Sequence, residues 1–244
     1  MITATEIDWP APWFAQWRLP GEAAWADVAR GATVSAALNA HAADPRFVAA
    51  ATLPASTPYE SFVRDTATVP TRDNLHDFLN GIVWCLYPRT KRLMNRLQAE
   101  AIARDGVHGR RGALRDAITL FDENGVVFSA PELLQTALEM RDWQGLFVTH
   151  RALWQQARIW LFGHALVEKL VAPRKDITAH VLCAPPGLSD IAQADGWLAE
   201  TLNVPMLSAK PFAPLPVMGI PGWCALSEDP VFYADQTVFR PARR

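Results

Sequence analysis

Apolar and polar positions along the chain change period several times, and the changes mark its elements. The segment Leu75–Leu86 turns from polar to almost wholly apolar after "TRDN", with Asp73 or Asn74 placed to accept from the free N–H groups of a helix start. Pro88 closes that helix, and a second one runs from about Thr90 to Arg104. "DAITLFDENGVVFSA" reads as two alternating runs broken at Asn124-Gly125, the signature of a tight β-hairpin turn. After Pro131 the spacing is helical to about Ala172, in pieces broken at Gly145 and Gly163. "ITAHVLCAP" reads as a strand, and "FVAAATLP" as a short strand or a turn of helix.

The ends are less regular. Residues 1–30 read as an irregular arm leading into a helix near Glu22–Arg30, with a short helix following over 32–42. From Val204 to Trp223 the prolines at 205, 211, 214, 216 and 221 are too frequent for regular structure, so 205–244 is expected to wrap the body in extended form. No repeat, low-complexity tract or long linker divides the chain. The expected fold class is α+β: one helix-dominated domain over residues 1–244, with a small β-hairpin or sheet and a long irregular Pro-rich C-terminal segment.

Composition alters this picture little. Half of the residues are hydrophobic and a fifth charged, which excludes a disordered chain. The ten Trp residues suit core packing better than a stacking surface for sugars or bases. The three cysteines show no CxxC or metal-ligand spacing, and Cys85 reads as a small core residue. With no signal-like start and no stretch of membrane-spanning length, the expectation is a cytoplasmic protein with no membrane partner. Charge is uneven: residues 89–115 hold eight Arg and Lys against Glu100 and Asp105. Such a stretch either attracts an anionic small molecule or nucleic acid, or forms a solvated helix face.

Candidate chemistry lies where polar residues interrupt apolar helices. His76 and Asn80 share one helical face, and Asp77 meets Asn80 from the other side. At a helix start these suit a catalytic set, with His76 as base or ligand, Asp77 as ligand and Asn80 as orienting group. "FGHALVEKL" sets His164 and Glu168 one turn apart, the spacing of two ligands to one divalent metal or of a plain buried hydrogen bond. His76, Asp77, His164 and Glu168 are therefore the metal-ligand candidates, for zinc, manganese or magnesium, and Arg72, Arg89 and Lys91 the substrate contacts. Asp122 and Glu123, in the expected hairpin turn, are the third polar place. Walker, GxGxxG, GxSxG and HExxH motifs are absent, and "GIPGW" reads as a structural turn plugged by Trp223.

The segments "TRDNLHDFLNGIVWCLYPRTKRLMN", "ITLFDENG", "FGHALVEKLVAP", "PLPVMGIPGW" and "VFRPARR" together resemble an uncharacterised bacterial family, a domain of unknown function numbered three-zero-two-five. The resemblance is clearest from about residue 60 onward and implies no reaction, substrate or ligand set. A looser likeness to His-centred metal nucleases fails in detail, because the expected hairpin follows the His76 helix and holds no His. The leading functional expectation is a metal-dependent hydrolase acting on a phosphate-containing or other anionic substrate. The alternative is a non-enzymatic module that binds nucleic acid or a protein partner, its polar pairs being buried hydrogen-bond networks.

Overall fold

The computed structural model describes residues 6–106 and 112–242. Its helices are α1 (Ala15–Ala29), α2 (Val34–His41), α3 (Tyr59–Thr66), α4 (Leu75–Leu86), α5 (Pro88–Asp105), α6 (Ala113–Asn124), α7 (Glu132–Glu139), α8 (His164–Lys169), α9 (Ile191–Thr201) and α10 (Val204–Ala209). The strands are β1 (Arg46–Ala49), β2 (Thr68–Thr71), β3 (Gly125–Ser129), β4 (Arg158–Leu161), β5 (Thr178–Ala184) and β6 (Ala213–Pro216). Two small sheets within a helical body make the fold α+β.

The larger sheet has the order β4-β3-β5-β6, with β3 parallel to β5 and the outer pairs antiparallel. Strand β3 is buried along its whole length, as a central strand covered on both faces should be. On the far side of β4, Gln16 of α1 takes the place of a further strand: its amide accepts from Leu161 N at 3.0 Å and donates to Leu161 O at 2.7 Å. Strands β1 and β2 form a separate parallel pair.

Several sequence readings hold. Asn74 caps α4 by accepting from Asp77 N, while Asp73 accepts from Val34 N at the start of α2, whose own cap is Thr33. Strand β5 falls within the segment expected for it. All ten Trp lie in the core or pack against it.

Others are corrected. The hairpin at Asn124-Gly125 does not form: residues 113–124 are helix α6, which passes straight into β3. Leu114, Ala117, Ile118 and Phe121 are buried at helical spacing, and that stripe outweighs the local turn signal. Gly125 has φ −72°, so the turn conformation is not what demands glycine; a Cβ there would lie 2.3 Å from Phe121 O. Residues 158–161, expected to be helical, form β4, because pairing with β3 overrides local periodicity. The N-terminal arm is helical from Pro12, and α1 runs through Pro20. The proline-rich tail contains α10 and β6. Pro205 occupies the first turn of α10, where a missing N–H costs nothing. Pro214 and Pro216 sit on β6, at the sheet edge. Beyond β6 the tail turns through short 3-10 segments, held by Tyr233, whose hydroxyl donates to Gly219 O at 2.9 Å.

Candidate functional site

Helices α4, α5, α6 and α8 bring their polar residues to one place. Gly163 is the reason α8 can approach: its N–H donates to Gly125 O at 2.8 Å, and a Cβ would lie 2.5 Å from the backbone of Asn124. His164, the next residue, is thereby set beside Asp122 in the last turn of α6 and against His76 in the first turn of α4. His76 and His164 are 88 residues apart in sequence, yet their Nε2 atoms meet at 3.0 Å with the rings edge to face.

The pair is flanked by carboxylates. His76 Nδ1 lies 2.7 Å from Glu168 Oε2, and His164 Nδ1 lies 3.8 Å from Asp122 Oδ2. Lys91, 5% exposed on α5, donates to Asp122 Oδ1 at 2.5 Å and to Asn80 Oδ1 at 2.9 Å, and sits over the Trp84 ring. Burial works to raise the Asp122 carboxyl, but Lys91 and the histidines outweigh it and hold the group below the usual carboxylate range. Burial also pushes His164 down to about 4, with Lys91 and His76 acting the same way and Asp122 opposing them. His164 is therefore a neutral imidazole at ordinary pH.

The proton positions follow by elimination. A carboxylate only accepts, so His76 Nδ1 carries hydrogen towards Glu168. When both rings are neutral, His76 Nε2 is bare and His164 Nε2–H donates to it. His164 Nδ1 is then bare as well. It is buried without a hydrogen bond, in a residue that lines a cavity of about 240 Å³ together with Tyr59, Asn80, Trp84, Lys91 and Asp122.

Each residue singled out from the sequence can now be placed. His76, His164, Glu168, Asn80 and Lys91 come together, and Asp122, taken for a turn residue, joins them. Asp77 turns away: its carboxylate accepts from the backbone N–H of Arg72 at 2.7 Å and from the Arg72 guanidinium at 2.8 Å. His76, Asp77, His164 and Glu168 thus do not enclose one point, since Glu168 stands behind His76 on its Nδ1 side. Among the described residues, no group of three or more His, Cys, Asp or Glu is placed to hold a metal ion. The carboxylates instead stand where they orient the imidazoles.

The expected anion contacts are paired within the protein. Arg72 holds Asp77, Lys91 holds Asp122, and Arg89 reaches Glu200 at 3.2 Å. Along the basic stretch Arg92 pairs with Asp44, Arg96 lies 3.9 Å from Glu100, and Arg104 pairs with Asp105. Arg110 and Arg111 lie outside the described residues. Burial pushes the Cys85 thiol up to about 12, away from the thiolate form that reacts. Sequence reasoning missed Tyr59 and Trp84, since nothing in the residues around them signals that a helical aromatic lines a cavity.

No helix among the described residues is long and apolar enough to cross a membrane. The chain matches no curated protein and no solved structure. A family model, described as "protein of unknown function (DUF3025)", matches residues 45–243, and the chain belongs to that family.

Proposed function

We propose that the protein is a hydrolase that activates water by general base catalysis, with His164 and His76 acting as one proton-accepting couple. One observation carries this reading: the two Nε2 atoms at 3.0 Å, with His164 Nδ1 unpartnered in a residue that lines the cavity, and Glu168 at the far end.

Alone, His164 is a poor base, because burial disfavours its cation. The couple removes that weakness. A proton taken from water at His164 Nδ1 releases the Nε2 proton to His76 Nε2, so the positive charge comes to rest on His76. That ring is half-exposed and faces the Glu168 carboxylate at 2.7 Å. His164 ends neutral, its new Nδ1–H directed at Asp122, whose carboxylate Lys91 keeps ionised. The hydroxide adds to the substrate's electrophilic centre, and the stored proton returns along the same path to the leaving group. Asn80 positions Lys91, and Lys91 in turn positions Asp122.

The test is turnover of chromogenic p-nitrophenyl esters, anilides and phosphomonoesters by wild type, His164→Gln and His76→Gln. Both substitutions should lower turnover about 10²–10⁴-fold. His76→Gln should in addition move the acid limb of the pH profile, which a scaffolding role would leave in place. Full activity in His164→Gln, or no hydrolysis of any of these compounds by the wild type, refutes the reading.

A further inference from the structure

Arg89, Arg92 and Arg104 each meet a carboxylate of the chain, but Arg141 and Arg240 do not. Arg141 lies just beyond α7, and among the described residues its side chain makes no hydrogen bond or ion pair. Arg240 donates from Nε to Thr237 O at 3.0 Å, which leaves its two terminal nitrogens without a partner among the described residues. Carboxylates beside them are committed elsewhere. Asp142 accepts from Gly145 N at 2.8 Å, and Asp235 holds Lys175 and Thr237.

The two arginines line one pocket of about 390 Å³, a volume within the range of small-molecule sites. Trp143, Pro214, Pro216 and Val238 supply its apolar wall. Pro214 and Pro216 are two apart on β6 and so share one face of the sheet. The Trp143 indole N–H donates to Arg240 O at 2.9 Å, so a residue of the wall also anchors the segment that carries the guanidinium. Thr237 O then holds Nε of that guanidinium, which fixes the direction of its fork. The pocket shares no lining residue with the cavity of the histidine couple.

These features state what an occupant offers. Two like charges on one concave wall reinforce each other's field and attract an anion. A guanidinium is a planar fork that matches a carboxylate through two parallel N–H···O bonds. The apolar wall gains only from a ligand with a body to bury, which a bare inorganic ion lacks. Asp176 also lines the pocket, and its pair with Arg174 at 3.2 Å joins exposed side chains, so it still opposes a second negative charge.

We infer that this pocket binds a small organic monocarboxylate, its carboxylate between Arg141 and Arg240 and its apolar body against Trp143, Pro214, Pro216 and Val238. The inference is independent of the hydrolytic reading, and its test needs binding alone.

Benzoate has both features, acetate only the charge, benzyl alcohol only the body, and benzylamine the body with the opposite charge at neutral pH. Titrations of the full chain followed by ligand-observed NMR should rank benzoate first, on the order of tenfold above acetate and benzyl alcohol. Benzylamine and inorganic phosphate should not displace it. Arg141→Gly removes one guanidinium at a backbone φ of 52°, which glycine adopts without strain, so this variant keeps its fold. Benzoate should weaken about tenfold in Arg141→Gly and again in Arg240→Gln, while benzyl alcohol is unchanged in both, with urea melts confirming folded protein. In the ¹⁵N-labelled chain the Trp143 indole N–H signal, identified by its loss in Trp143→Phe, should shift as benzoate is added. Unchanged benzoate binding in both arginine variants, phosphate or benzylamine binding as tightly as benzoate, or no saturable binding of benzoate would overturn the inference.

Discussion

Two carboxylates, one buried and one partly buried, meet consecutive residues of α5, and they are treated in opposite ways. Asp195, on α9 and 3% exposed, accepts from Arg89 N at 3.1 Å, from Thr90 N at 2.8 Å and from Thr90 Oγ1 at 2.7 Å. It closes the start of α5 with neutral donors that helix geometry leaves open. Asp122 touches Lys91, the next residue, yet its second oxygen stops 3.8 Å short of His164 and faces a cavity. The first is a saturated joint between helices. The second is a charge held in reserve, with part of its hydrogen-bonding capacity unspent. Both carboxylates are charged, and what separates scaffold from site here is how fully their hydrogen-bonding capacity is met.

The sharpest way to break the comparison is to remove the cation. Lys91→Met leaves Asp122 buried without its partner and should cost about 3–5 kcal/mol in urea denaturation. Adding Asp122→Asn to that variant should restore most of the loss, because no uncompensated charge remains. Asp195→Asn keeps one acceptor for its neutral donors, so its cost should be smaller, about 1.5–3 kcal/mol. Equal losses at Lys91 and Asp195 would mean that both carboxylates serve the scaffold alone.

Next in size is a pH effect confined to the site. An unfolded histidine takes up its proton near pH 6.5, whereas His164, lowered chiefly by burial, does so at about 4. Between these values the unfolded chain binds more protons, so stability rises with pH. It is complete above the unfolded pKa and is lost as pH falls towards the folded one, by roughly 3 kcal/mol at most. His180, lowered by burial and then by Lys169, adds to the same window. The difference between wild type and His164→Gln isolates the site's share: urea midpoints between about pH 4.5 and 7.5 should slope more gently in the variant. Parallel slopes would show that His164 protonates in the fold as easily as in the unfolded chain.

The same contrast explains what the sequence could and could not convey. Elements set by local rules were legible: the Asn74 cap, the apolar run of α4, the alternation of β5. At Asn124-Gly125 a two-residue signal suggested a hairpin, although Leu114, Ala117, Ile118 and Phe121 already carried the period of a helix. Strand β4 was not legible, since only pairing with β3 makes it a strand. In the site, His76, His164, Glu168 and Asn80 stood out as polar residues that interrupt apolar helices, and Lys91 as part of the basic stretch. Their meeting depends on contacts between distant segments, so it had to be observed. Asp77 meets a local partner instead: Arg72, five residues earlier, offers both its backbone N–H and its guanidinium to the carboxylate.

The smallest expected effect compares two hydroxyls, one from each region. Thr90 Oγ1 donates to Asp195 Oδ1 at 2.7 Å inside the saturated joint. Thr90→Val removes that donor while nearly preserving shape, and should cost about 1–2 kcal/mol. Tyr59 Oη is buried without a partner in the cavity wall. Tyr59→Phe removes a group whose desolvation is not offset, so stability should stay unchanged or rise by up to about 1 kcal/mol. Urea denaturation of both variants, run at one pH and compared through midpoints at equal slope, resolves a difference of this size. A Tyr59→Phe loss as large as that of Thr90→Val would mean that the hydroxyl is completed by a hydrogen bond, to water or to its neighbours. The wall would then be as satisfied as the joint, and the difference between the two carboxylates would lie only in what each is bonded to.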